Sequence, residues 1–151
     1  MPESSWNRTL KGMPEVGATA VRTRRTSARD VELFAEMTGD RNPLHFDAPA
    51  AARSPFGRLI VQGGVTSGLL NAVVAEDLPG PGTVFLSVEW RFVKAVGVGD
   101  EISARVTVTH VRADKPICTL ATEIVNGAGE VCLTGTATTY TVPLRDPDHE
   151  A

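Results

Sequence analysis

The sequence predicts a single α+β domain in which an antiparallel sheet wraps around one long, buried helix. Three observations carry this. At 151 residues the chain is one domain by length. Its middle, "GRLIVQGGVTSGLLNAVVAEDLPGPG", is an apolar stretch at helical spacing, closed by a Pro–Gly cluster at 79–82. The rest, to residue 142, is a set of alternating runs separated by turn signals. One helix followed by a run of strands is the layer pattern of an α+β fold.

Each element has a local reason. Residues 1–17 read as an N-terminal arm that packs through Trp6 and Leu10. Residues 18–26 suit a strand, and "RTRR" at 22–25 reads as the solvent side of an edge strand. Ser27 and Asp30 form an S-x-x-D capping box. Val31, Phe34, Ala35 and Thr38 follow at helical spacing, and Gly39 is a natural residue to end the helix. Asp40 therefore stands just past a helix C-terminus. Asp47 caps a further short turn, with Pro49 near its start.

In the next helix Val65, Leu69, Leu70, Val73 and Val74 share one broad face. Its polar positions, Thr66, Ser67 and Asn71, are few and small, as expected of a helix buried on most sides. It runs about 14 residues, roughly 21 Å at 1.5 Å per residue.

Then Val84, Leu86, Val88, Trp90 and Phe92 alternate with Phe85, Ser87, Glu89, Arg91 and Val93. "GVGD" at 97–100 turns the chain into a strand with Ile102, Ala104, Val106 and Val108 on one face. "ADKP" at 113–116 and "NGAG" separate two more runs, 117–125 and 129–142. The four strands are expected in hairpin order, joined by the strand that precedes the helices. The domain thus spans 18–142, with a polar C-terminal tail at 143–151. Such a sheet is too wide for one helix to cover, which predicts a homodimer or a higher homo-oligomer.

Composition removes several function classes. With 42% hydrophobic and 22% charged residues the chain has material for a core and does not read as disordered. A net charge of −3 argues against nucleic acid as a partner, because phosphate binding needs clustered Lys and Arg. Cys118 and Cys132 have neither C-x-x-C spacing nor a second pair, so they read as buried thiols, and no metal site is expected. No run approaches the roughly 20 apolar residues of a membrane span, and the N-terminus lacks a signal-peptide core. The expected location is the cytoplasm.

Two features suggest chemistry. "GDRNPLHFD" at 39–47 places Asp40 and His45 on a loop stiffened by Asn42 and Pro43. A carboxylate and an imidazole held together can share a proton or a water. The same residues are also ordinary turn formers, and spacing alone favours that reading. Gly63 and Gly64 open the apolar helix, where N–H groups lack acceptors and a missing Cβ permits close approach of an oxygen. Tight packing of the helix start explains them equally well. His110, ending an apolar face, and His149, in an acidic tail, have no such context.

Taken together, "FAEMTGDRNPLHFD", "GRLIVQGG" and "LPGPGTVFLSVEWRFVKAVGVGDEI" closely resemble the MaoC-like hydratases. These are the (R)-specific enoyl-CoA hydratases and related dehydratases of the hot-dog fold, and the resemblance runs from about residue 18 to 142. It implies that Asp40 and His45 are the catalytic pair, holding the water added to the β-carbon. Asn42 supports the active-site loop, and the Gly63 backbone N–H binds the thioester oxygen. The family usually has His–Gly where this chain has Gln62–Gly63, so the resemblance assigns no role to the Gln62 side chain beyond lying with Gly64 at the substrate. The family often places a small hydroxyl residue farther along the helix. Asn71 stands there, with Ser67 one turn earlier, as candidate supports.

Of the cations at strand ends and turns, Arg91, Lys94, Arg112 and Lys115 are candidates for the phosphates of the carrier. The carrier would be coenzyme A or an acyl carrier protein. The acyl-CoA thioester is substrate, and no cofactor or metal is implied. Two rival readings remain, a thioesterase of the same fold and a non-catalytic acyl-thioester-binding subunit. The G-D-x-N-P-L-H stretch favours the hydratase.

Overall fold

Ser27 opens helix α1 (Ala28–Thr38) by the predicted reciprocal cap: its hydroxyl accepts from Asp30 N–H, and the Asp30 carboxylate accepts from Ser27 N–H. Gly39 ends the helix at φ 83°, a conformation that favours glycine. Two short helices follow, α2 (Pro43–Phe46) and α3 (Ala48–Arg53). Asp47 caps α3 through Ala50 N–H, as its place before Pro49 predicts. The computed structural model describes residues 4–146; His149 and the last part of the polar tail lie outside them.

The apolar helix α4 (Gly63–Ala72) continues into a π-helical turn (Val73–Asp77), so the whole rod is close to its predicted length. Leu70, Val73 and Val74 are fully buried. They belong to a core shared with Ile102, Ala104, Val106 and Val108, on the predicted face of one strand, and with Leu120, Ile124 and Leu133. The five strands are β1 (Thr19–Arg25), β2 (Thr83–Phe92), β3 (Glu101–Val111), β4 (Ile117–Asn126) and β5 (Val131–Thr141). They form one antiparallel sheet in the order β1-β3-β4-β5-β2. The helix lies in the curve of this sheet, which is the hot-dog arrangement. Cys118 and Cys132 are buried and unbridged, and burial raises both thiols above their ordinary pKa.

The expectation of consecutive hairpins fails at β2. It pairs with β5, at the edge opposite β1, rather than with β3. The residues between β2 and β3 do not close a hairpin but cross the end of the sheet. On the way they bond to the segment before α4: Val61 N–H to Val96 O at 2.9 Å and Val98 N–H to Leu59 O at 3.0 Å. The crossing spans three strand spacings, about 14 Å, well within reach of eight extended residues.

The even alternation read along β2 is also broken. A bulge between Phe85 and Ser87 shifts the register. As a result Phe85 and Trp90, from opposite parities, both turn to the core, where their rings meet edge to face at 5.8 Å. Val84, Leu86, Val88 and Phe92 are left exposed on this edge strand.

The N-terminal arm is anchored by Trp6, only 1% exposed, whose indole N–H donates to Arg112 O at 2.6 Å. Leu10, the other expected anchor, is exposed, because the arm turns through Thr9, whose buried hydroxyl donates to Trp6 O. The basic run lies on the exposed edge strand β1, as predicted, with Arg22 paired to Asp77 at 2.6 Å and Arg24 paired to Asp30. No helix among the described residues is long and apolar enough to cross a membrane.

Candidate active site

The loop after α1 is built by hydrogen bonds of its own polar residues. The Thr38 hydroxyl donates to Phe34 O at 2.7 Å and accepts from Asp40 N–H at 3.1 Å. Asp40 Oδ1 accepts from Asn42 N–H at 3.2 Å, an Asx turn. Asn42 in turn caps α2, its side-chain oxygen accepting from Leu44 N–H at 3.1 Å, with Pro43 as the first helical residue. Its carbonyl accepts from His45 N–H at 2.9 Å. Short-range bonds thus set the spacing of Asp40 and His45, and Leu44 O, which accepts from Ile60 N–H at 3.2 Å, ties the loop to the segment before α4.

The imidazole is fixed from the other side. Its Nδ1 lies 2.7 Å from Ile60 O. A carbonyl only accepts, so Nδ1 carries the proton, and a neutral His45 presents a bare Nε2. That nitrogen stands 3.8 Å from Asp40 Oδ2. The His45 side chain is 9% exposed and that of Asp40 38%, so the pair lies at the boundary between interior and solvent.

His45 lines a cleft of about 340 Å³ with Phe56, Ile60, Gly63, Thr66, Phe92 and Lys94 among its walls. Gly63 is the first residue of α4, a position whose N–H has no acceptor within the helix. A Cβ on it would come within 3.2 Å of the Phe92 ring, so the close approach is real. A larger groove of about 450 Å³ lies between α1, α4 and β1. It contains neither Asp40 nor His45; His45 lines the smaller cleft, with Asp40 3.8 Å from its Nε2, and this marks the smaller cleft as the candidate site.

The other predicted site residues divide. Gly64 turns away from the cleft and packs on Phe34, where a Cβ would stand 2.3 Å from the ring. For it the packing explanation holds. Ser67 is buried but is not on the cleft wall; Thr66, which sequence reading passed over, is. Asn71 is exposed, eight residues after Gly63 and so ~12 Å along the helix. Gln62 is 1% exposed, and its Nε2 donates to Val31 O at 3.1 Å and makes a long contact of 3.5 Å to Asp40 O.

Lys94 lies at the cleft and also borders a polar hollow with Arg25 and Arg58. Its ammonium meets Glu130 at 2.6 Å, a contact that raises the lysine and lowers the glutamate from their ordinary pKa values. Arg58 forms a two-pronged pair with Asp100, at 2.9 and 2.6 Å. Arg91 is on the exposed side of β2 beside Trp90 and Thr134, away from the cleft. Arg112 and Lys115 lie at the turn joining β3 to β4, the opposite end of the sheet, ~35 Å away along an 11-residue strand. Within one chain, the expectation that they meet the same substrate is not met. Among the described residues no group of three or more His, Cys, Asp or Glu side chains is placed to hold a metal ion.

A hot-dog sheet around a buried helix, with an Asp–His pair beside the helix N-terminus, is the arrangement the sequence resemblance implies, and comparison with known proteins agrees. The profile of the MaoC like domain family matches residues 11–128, and the chain belongs to that family. It is 42% identical over 123 residues to the (R)-specific enoyl-CoA hydratase of Aeromonas caviae, covering 82% of this chain and 92% of that protein. It is also 42% identical to the 3-hydroxybutyryl-CoA dehydratase of Methylorubrum extorquens, over 82% of this chain and 78% of that one. Among solved structures, the (R)-hydratase from A. caviae superposes with a TM-score of 0.82 at 40% identity, covering 85% and 98% of the two chains. An R-hydratase from Pseudomonas aeruginosa gives 0.79 at 34% identity, covering 91% and 92%.

Proposed function

We propose that this protein is an (R)-specific enoyl-CoA hydratase, working in reverse as a 3-hydroxyacyl-CoA dehydratase. The single observation that carries the mechanism is the pinned tautomer of His45 opposite Asp40. Nδ1 is committed to Ile60 O, so Nε2 and Asp40 Oδ2 are two acceptors facing each other across 3.8 Å. Two hydrogen bonds of about 2.8 Å from one water oxygen bridge that gap. The water donates one proton to each acceptor and keeps a lone pair for attack.

The reaction then balances with that water alone. The water oxygen bonds the β-carbon while the double-bond electrons shift toward the thioester carbonyl, forming an enolate. One water proton passes to the Asp40–His45 pair, and the α-carbon takes a proton from the pair as the enolate collapses to the thioester. The enolate oxygen is held by Gly63 N–H at the positive end of α4. No electron leaves the system, so the step requires no redox cofactor. Asn42 holds the loop by capping α2, and Thr66 lines the cleft one turn beyond Gly63.

The carrier is coenzyme A, as in the names of both 42%-identical relatives. Of the candidate cations, Lys94 is positioned for its phosphates, with Arg25 and Arg58 in the adjoining hollow. Each already meets an acid: Lys94 meets Glu130, Arg25 meets Glu101 and Arg58 meets the half-buried Asp100, and a phosphate would exchange for the exposed carboxylate of Glu130 or Glu101. Two copies of the chain associate along β2, whose outer edge is unpaired and whose Val84, Leu86 and Val88 are exposed.

The test mixes the protein with crotonyl-CoA and follows enoyl-thioester absorbance together with free thiol. A fall in absorbance with no thiol, giving the (R)-3-hydroxy product, is expected. Stoichiometric thiol release with the double bond intact would instead make the protein a thioesterase.

A further inference from the structure

Gln62 precedes the proposed oxyanion residue and sits where its family usually carries histidine. Three features of its side chain are unusual. It is almost fully buried. Its one amide nitrogen faces two main-chain carbonyls, those of Val31 in α1 and of Asp40 just beyond it. Its Oε1 is buried without a hydrogen-bond partner among the described residues. An unpartnered buried carbonyl oxygen lowers stability, so packing alone would favour an apolar side chain here. The NH₂ group is what the site retains by keeping a glutamine.

What that NH₂ group joins is specific. The left-handed Gly39 turns the chain back beside α1, which brings Asp40 O within reach of the nitrogen already bonded to Val31 O. The main chain of the same glutamine starts α4: Gln62 O accepts from Val65 N–H at 2.9 Å and from Thr66 N–H at 3.4 Å. One residue therefore ties the backbone of the proposed base to the helix start that carries the Gly63 N–H. The local bonds of the 38–45 loop fix Asp40 relative to His45, and His45 Nδ1 and Leu44 O hold the loop to Ile60, three residues before Gly63; the Gln62 amide adds the link from Asp40 itself to the start of α4.

Resting on the hydratase reading above, we propose that Gln62 is a positioning residue: its side-chain amide sets the separation between the Asp40–His45 pair and the oxyanion-binding start of α4. It touches no reacting atom and acts through Asp40.

The test uses Gln62→Met in the full-length protein, with crotonyl-CoA as substrate. Methionine keeps length and volume and removes both the donor and the unpartnered acceptor. The expected result is a kcat about tenfold lower or more, a KM within about twofold and a Tm unchanged or raised. A purely structural glutamine would show the reverse, a lower Tm with kcat intact in the folded fraction. In an Asp40→Asn background the Gln62→Met loss should disappear, because the group it positions no longer transfers a proton. Full kcat in Gln62→Met, or an undiminished loss in the Asp40→Asn background, overturns the proposal. Should Gln62→Met not fold, Gln62→Leu carries the same test: it removes both amide donors and the unpartnered acceptor, and a full kcat in it is equally fatal. Wild-type hydration that collapses in Asp40→Asn alone supports the underlying reading independently, so failure of either idea is separately visible.

Discussion

His45 Nε2 faces Asp40 Oδ2 at 3.8 Å, too far for a hydrogen bond between them and suited to one shared water. If both groups act on that water, Asp40→Asn and His45→Gln should each lower kcat by about 10²- to 10⁴-fold with Tm little changed. The double variant should be scarcely worse than the worse single one, as for residues that act as a unit. Steady-state kinetics on enoyl-CoA checks this. A single variant that keeps more than about a tenth of wild-type activity assigns its residue to loop scaffolding instead.

The two glycines that open α4 should separate cleanly. Gln62 has ψ 146°, the extended backbone that a proline requires before it, and proline suits the first helical position. Gly63→Pro therefore deletes one N–H and leaves the helix intact; its Cβ meets the Phe92 ring at 3.2 Å, as that of Gly63→Ala does, so relative to Gly63→Ala kcat should fall by about 10²- to 10³-fold, the worth of one oxyanion donor. Gly63→Ala retains the N–H and should lose much less. Gly64→Ala puts a methyl into the Phe34 ring and should cost about 1–3 kcal/mol of stability, read as Tm, with kcat of the folded protein preserved. An intact kcat in Gly63→Pro would remove Gly63 from the oxyanion role.

Much of this was legible because it is local. The Ser27–Asp30 cap, the Gly39 stop and the Asp47 cap are fixed by residues within four positions of one another. So is the Asx turn that presents Asp40. The place of β2 was not legible, because its partner β5 lies far along the chain and "GVGD" looks like any hairpin turn. Nor does the sequence pattern reveal the bulge that turns Phe85 and Trp90 to the same side. In the site, the atom that fixes the His45 tautomer is the carbonyl of Ile60, which no side-chain pattern announces. Gln62 was visible as a departure from its family, but its reach to Val31 and Asp40 exists only once α1 and α4 are packed. Arg112 and Lys115 were grouped with Lys94 by charge, and strand length places them at the other end of the sheet.

The exposed edge of β2 predicts self-association. Val84→Lys combined with Leu86→Lys changes two side chains that are already exposed in one chain, so folding should be nearly unaffected. Light scattering at micromolar concentration should then report a dimer for the wild type and a monomer for the variant. A monomeric wild type would mean that this edge is simply solvated.

The last prediction concerns acid and the crossing segment between β2 and β3. Asp100 accepts from both Arg58 guanidinium nitrogens and from Gly97 N–H at 2.9 Å, and its carbonyl accepts from Thr26 N–H at 2.8 Å. Burial pushes its carboxyl pKa up, but the Arg58 hydrogen bonds, the Gly97 N–H and the nearby Arg58 and Arg25 charges together bring it below the ordinary 3.8. A carboxylate depressed in the folded state binds fewer protons there than in the unfolded chain. Its stabilising contribution is therefore complete above the unfolded value and is lost as pH falls through the folded one. Asp100→Asn removes the charge and with it this dependence. At neutral pH the variant should be less stable by about 1–2 kcal/mol, about 2–4 °C in Tm for each kcal/mol. The gap should hold down to about pH 5 and shrink below about pH 4, where the wild-type carboxylate begins to protonate. Thermal melts of both proteins across that range decide it: a gap that stays constant to the lowest pH would show that shape at Asp100, and not its charge, holds the crossing segment in place.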